Sequence, residues 1–177
     1  MQGELPPFSF QEVTEGLYLG STPWLPSHLQ ELYSEGIRSI ISLEGESDKT
    51  PIGMDVFLWL PLLDGTAPTM DQLRMGIRTI DELLRMGHKV FVHCRFGVGR
   101  APTLVAAHFV KHGMSVEEAV SFLKKIRPTV NPLSAQLARL EEYRTHVQRT
   151  TIGQMDPHRV YPKNFRQKIV ERKGTAR

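Results

Sequence analysis

Cys94 and Arg100 are the residues of this sequence whose types and spacing point most directly to chemistry. They bracket the stretch Cys94-Arg95-Phe96-Gly97-Val98-Gly99-Arg100, which follows the apolar run 90–92 and leads into a helical pattern opened by Arg100. A helix N-terminus offers unpaired N–H groups and a partial positive charge, and glycines at 97 and 99 let the intervening backbone curl so that its amides point inward. Such a nest holds a dianion. A cysteine at its floor is favoured as thiolate, the nucleophilic form of sulfur. The planar fork of Arg100 can take two phosphoryl oxygens at once and follow them to a trigonal-bipyramidal transition state, a geometry that lysine does not match. The chemistry implied is displacement at phosphorus. His93 is expected on the opposite side of the strand end, orienting the loop through hydrogen bonds rather than acting as a base.

An ester oxygen leaving phosphorus needs a proton from the side opposite the thiolate. Asp64 is the candidate donor, because it follows the apolar run 56–60 and begins Asp64-Gly65-Thr66-Ala67-Pro68, a turn able to fold over a pocket. Its bland alternative is turn formation through an Asx hydrogen bond. Asp156 is a rival placed in the tail, and Asp71 reads as first-turn helix charge. Gln136 could place the water that hydrolyses a cysteinyl phosphate, although periodicity alone makes it an exposed or boundary residue.

The elements that must position these groups alternate between strand and helix periods, which predicts an α/β domain with a central four- to five-stranded, mostly parallel sheet flanked by helices. Strands are predicted at 17–19, 37–42, 56–60 and 89–93. A short helix at 27–35 stops at Gly36. Thr69 and Gln72 form a capping box for a helix ending at Gly87, a third helix spans 100–112, and Ser115 with Glu118 caps a fourth that Pro128 closes. Asn131 as cap and Pro132 at the first position open the last helix, with an apolar stripe of Leu133, Leu137, Leu140, Tyr143 and Val147. The nucleophile then follows the final strand, at the sheet edge that ligands favour.

With 177 residues and 40% hydrophobic content, one catalytic domain over 1–149 is expected, followed by a basic tail over 150–177. The tail holds seven Lys/Arg against Asp156 and Glu171, a net +5, so the overall +3 leaves the rest at −2. Such tails most often only solvate, and no aromatic residues interleave the charges as base stacking would require, so nucleic acid is not an expected partner. No apolar run approaches the roughly 20 residues of a membrane span. A single cysteine forms no internal disulfide and completes no CxxC zinc pattern. A reducing, cytoplasmic setting is expected.

Together these residues resemble the protein tyrosine phosphatase superfamily, whose signature is His-Cys-x5-Arg followed by Ser or Thr, and more narrowly its small dual-specificity branch. The match runs from Gly16-Leu17-Tyr18-Leu19-Gly20 to about Tyr143, and within that branch the sequence most closely resembles the phosphatases of regenerating liver, which share Gly-Arg-Ala-Pro. The resemblance implies hydrolysis of phosphotyrosine, with phosphoserine and phosphothreonine, in protein substrates through phosphocysteine, without metal or other cofactor. It also opens an alternative of low turnover, with the loop gripping a regulatory protein partner. A phosphoinositide or the 5′ phosphates of RNA are the competing substrates.

The sequence departs from that pattern at three places. Ala101 replaces the hydroxyl thought to stabilise the departing thiolate, a loss of about 1.5 to 3 kcal/mol that would slow the second step. Thr103 should face away from the thiol and is no replacement. The chain ends Gly174-Thr175-Ala176-Arg177 without a prenylated cysteine box, and lacks a second cysteine to trap oxidised Cys94.

Overall fold

A computed structural model of the protein describes residues 7–45, 51 and 53–153. The strands are β1 (Phe10–Thr14), β2 (Leu17–Ser21), β3 (Ile37–Ser42), β4 (Val56–Trp59) and β5 (Lys89–Cys94). The helices are α1 (Pro26–Ser34), α2 (Met70–Arg85), α3 (Arg100–Lys111), α4 (Val116–Ile126) and α5 (Ser134–Gly153). One five-stranded sheet has the order β1-β2-β5-β3-β4, antiparallel only between β1 and β2. The α/β class and the mostly parallel sheet match the expectation.

Side-chain alternation along the central strand β5 divides the core. Val90, Val92 and Cys94 face the larger cluster built with α2, α3, α4 and α5, whereas Phe91 joins Tyr18, Leu32, Ile37 and Ile40 on the face that α1 covers. Helix α3 is buried on nearly every side, as a run of Ala, Val, Leu and Phe allows. Gly76 lets α2 approach it, since a Cβ there would come within 2.7 Å of Leu104. Both capping boxes form: Thr69 with Gln72 opens α2, and Ser115 with Glu118 opens α4.

Three sequence expectations need correction. Strand β1 was not foreseen, because only Val13 of its five residues is buried, and an edge strand with one wet face carries little apolar signal. Helix α5 starts at Ser134 rather than at Pro132, and Asn131 instead donates its N–H to Val98 O at 2.8 Å. Its buried stripe begins with Gln136 and continues through Leu140 and Tyr143, while Leu133 and Leu137 are exposed. The first turn of α5 overhangs the strand ends rather than the core, so its core-side position can be polar. Helix α5 also continues past residue 149, and the tail residues beyond Gly153 lie outside the described residues, as does Asp156. Among the described residues no helix is long and apolar enough to cross a membrane.

Candidate active site

The C-terminal ends of three parallel strands meet at one edge of the sheet. Cys94 closes β5, paired in register with Ser21 of β2, while Ser42 of β3 pairs with His93. Each strand therefore delivers its next residues to the same place: Thr22 after β2, Leu43 and Glu44 after β3, and the loop 95–99 after β5. This is the crevice where open α/β sheets bind ligands.

Four consecutive carbonyls of that loop are fastened from outside. Arg95 O accepts from Thr22 N at 3.3 Å, Phe96 O from Arg127 Nη2 at 3.0 Å, Gly97 O from Arg127 Nε at 3.1 Å and Val98 O from Asn131 N at 2.8 Å. A trans peptide is planar, with its C=O and N–H pointing in opposite directions. Pinning these carbonyls outward therefore turns the N–H groups of Phe96, Gly97, Val98 and Gly99 toward the loop's interior, above Cys94 and the start of α3. Gly97 is required twice over: its φ is +67°, and a Cβ would sit 2.5 Å from Gly20 O. At Gly99 a Cβ would press to 2.9 Å from Gln136 Oε1.

Arg100, 2% exposed, enters the loop from the first turn of α3. Its Nη1 donates to Leu62 O at 2.8 Å and lies 3.5 Å from Glu44 Oε1. The opposite edge is differently placed: Nη2 stands 3.2 Å from Asp64 Oδ1, and Nε is buried without a hydrogen-bond partner. One edge of the guanidinium is thus anchored to the fold, and the other presents the two donors that a bidentate oxyanion takes.

Beneath this, Glu44, Thr22 and His93 form a buried polar chain. Thr22 Oγ1 donates to Glu44 Oε2 at 3.1 Å and lies 3.3 Å from His93 Nδ1. A hydroxyl has one proton, so with Thr22 donating to Glu44, His93 must donate to Thr22 from Nδ1. Burial, followed by the charge of Arg100, pushes the His93 pKa down to about 3, which keeps the ring neutral. The ring stacks on Phe91, on the sheet face opposite Cys94.

Asp64 projects from the turn in which Thr66 N and Oγ1 donate to Leu63 O, with Gly65 at φ +75°. Its side chain is 74% exposed except for the Arg100 contact. Gln136, in contrast to the exposed or boundary position expected for it, is buried. Its Nε2 donates to Thr66 O at 2.9 Å, its Oε1 accepts from Leu133 N at 2.9 Å, and it packs on Gly99. One amide thereby joins the Asp64 turn to the phosphate-loop wall. Ala101 is fully buried just after Arg100, and the Thr103 hydroxyl donates to Gly99 O at 2.8 Å. Asp71 pairs with Arg74 on the exposed face of α2.

Sequence reasoning missed Arg127 and Glu44. Besides its two loop carbonyls, Arg127 donates from Nη1 to Ser9 Oγ at 3.0 Å and Gln11 Oε1 at 2.6 Å, tying the loop to β1. Burial draws its pKa down and the charge of Cys94 pulls it back up. An acidic residue two positions past a parallel strand was the available signal for Glu44. For Arg127 the signal was an arginine immediately before the helix-ending Pro128.

A thiol closing the central strand, an amide-lined loop and an arginine at the head of the next helix define the class of cysteine-dependent phosphatases. Comparison with known proteins agrees: residues 17–146 match the family described as dual specificity phosphatase, catalytic domain. The chain belongs to that family. It is 33% identical over 141 residues to human protein tyrosine phosphatase type IVA 3, a member of the regenerating-liver group, covering 76% of this chain and 78% of the relative. It is 28% identical over 149 residues to human phosphatidylglycerophosphatase and protein-tyrosine phosphatase 1, covering 78% of this chain and 74% of the relative. The crystal structure of PTPMT1 in complex with PI(5)P superposes with a TM-score of 0.74 at 26% identity, covering 80% of this chain and 98% of that one.

Proposed function

We propose that this phosphatase hydrolyses phosphotyrosine, together with phosphoserine and phosphothreonine, in protein substrates by two in-line displacements at phosphorus. The observation that carries the reading is the loop of outward-pinned carbonyls beside an Arg100 whose Nε has no partner. In the first step Cys94 Sγ attacks phosphorus, the bond to the ester oxygen breaks, and Asp64 gives that oxygen its proton. Arg100 Nε and Nη2 and the inward amides hold the three peripheral oxygens as charge builds on them. Before that proton transfer Asp64 exchanges its contact with Nη2 for the leaving oxygen. In the second step water attacks phosphorus, Asp64 takes a proton from that water, and the S–P bond breaks to release phosphate and thiolate. When Gln136 Nε2 gives up its bond to Thr66 O, that N–H is released to place the water.

A second reading, phosphate esters of lipid headgroups, is favoured by a separate observation. Leu63, Leu133 and Phe96 are exposed on the acid turn, the start of α5 and the phosphate loop, giving the mouth of the site an apolar rim. The similarity to a phosphatidylglycerophosphatase supports it. Turnover of a phosphotyrosine peptide, a phosphoserine peptide and a vesicle-borne phosphoinositide, with Cys94→Ser as the blank, separates the two. Faster turnover of the peptides than of the lipid upholds the protein reading, and the reverse order replaces it.

A further inference from the structure

At the far end of α3 from the phosphate loop, Asp81, His108 and His112 bring three ligand atoms within 4.8 Å of one another. His108 in the last turn of α3 and His112, the residue that caps its C-terminus, are four residues apart and so lie on one side of the helix, and Asp81 meets them from α2. Asp81 Oδ1 lies 2.9 Å from His112 Nε2 and 3.1 Å from His108 Nδ1, and its other oxygen, Oδ2, is held by Lys111 Nζ.

We infer that Asp81, His108 and His112 form a binding site for a divalent zinc-type cation that clamps α2 to α3. Two imidazole nitrogens and one carboxylate oxygen suit a borderline metal, with zinc–ligand distances of about 2.0 to 2.2 Å. Bonds of that length at tetrahedral angles place ligand atoms about 3.3 Å apart, so the two Asp81 spacings of 2.9 and 3.1 Å need to open by only a few tenths of an ångström, and the two imidazole nitrogens, within 4.8 Å of one another, turn to the same centre. The cluster is partly prepared for a cation. Lys111 would remain on Oδ2, fixing the carboxylate for one-oxygen ligation as second partners of metal ligands do. Its positive charge restrains affinity and excludes bidentate binding. His112, the more exposed of the two histidines, lies on the side from which a fourth ligand, water, would enter. The site stands roughly 12 Å along α3 from Arg100 at about 1.5 Å per residue, so it holds the helix that carries the phosphate loop without entering the reaction.

The full chain, stripped with chelator, is titrated with zinc against a chromophoric indicator, and with cobalt as a spectroscopic substitute. One equivalent should bind in the wild type and equally in Cys94→Ser. Cobalt should give four-coordinate visible bands without a thiolate charge-transfer band, and zinc should raise the melting temperature by several degrees. His112→Gln, at the exposed edge of the cluster, should fold and turn over as the wild type does while losing zinc affinity at least tenfold. Absence of stoichiometric binding, binding that His112→Gln leaves intact, or binding lost with Cys94→Ser would each overturn the inference.

Discussion

Arg127 donates from Nε to Gly97 O at 3.1 Å and from Nη2 to Phe96 O at 3.0 Å, joining the end of α4 to the centre of the phosphate loop. Through these bonds a residue outside the Cys-x5-Arg segment sets the direction of two peptide planes inside it. The inward amides of Gly97 and Val98 follow from where Arg127 holds the carbonyls.

Replacing Arg127 with Lys keeps the charge but not the fork. The loop then loses at least one fastened carbonyl, at about 1 to 3 kcal/mol for a buried group left unsatisfied. Expected are a fall in kcat of about tenfold or more, weaker inhibition by vanadate, and a modest drop in melting temperature. Unchanged vanadate inhibition in a folded Arg127→Lys protein would show that the loop holds its shape without this residue.

Asp64→Asn removes the leaving-group proton while keeping the turn. General acid catalysis is typically worth about 10² to 10⁴ in rate. The loss should therefore be large on serine and threonine phosphates, whose alkoxides leave poorly, and much smaller on nitrophenyl phosphate, whose leaving group hardly needs protonation. Equal losses on both substrates would assign Asp64 a binding role through Arg100 Nη2.

Ala101→Ser restores a hydroxyl beside the loop. If the missing donor limits breakdown of phosphocysteine, one hydrogen bond to a charged group, about 1.5 kcal/mol or more, accelerates the second step about tenfold. Pre-steady-state kinetics should show the burst shrinking relative to a faster steady phase. An unaltered steady rate with normal intermediate formation would place the slow step elsewhere.

The neutral His93 makes stability depend on pH. Its folded pKa of about 3 lies below the ordinary 6.5, so between these values the unfolded chain binds a proton that the folded chain refuses. Stability is full above about pH 6.5 and falls as the pH drops, with a slope approaching about 1.4 kcal/mol per pH unit. His108, lowered by burial, and Asp81 add in the same direction. For Asp81, burial alone would raise the carboxyl, but hydrogen bonds with His108, His112 and Lys111 hold it far below the carboxylate range. His93→Asn keeps a donor for Thr22, and urea unfolding at several pH values should show a flatter acid limb than the wild type.

The parts of this site that were legible in the sequence are those whose signal is local. Cys94, the glycines and Arg100 form one continuous segment between a strand and a helix, and Asp64 announces itself by its turn. Arg127 was not legible because its role is created when the connection between α4 and α5 docks on the loop and on Ser9 and Gln11, the last two more than a hundred positions away. Glu44 becomes meaningful only once the sheet order sets β3 beside β5. Gln136 misled because the apolar period of α5 runs on into a first turn that faces the site. Leu133 and Leu137 were misread as core for the same reason, and both are exposed.

The most direct test of the central claim is acid quenching during turnover of a phosphotyrosine peptide, followed by mass spectrometry of the peptide that contains Cys94. The account predicts one phosphoryl group on Cys94 in the wild type, accumulating because Ala101 slows its removal, and none in Cys94→Ser. Product release with no phosphoryl group on Cys94, or with one on another residue, would contradict it.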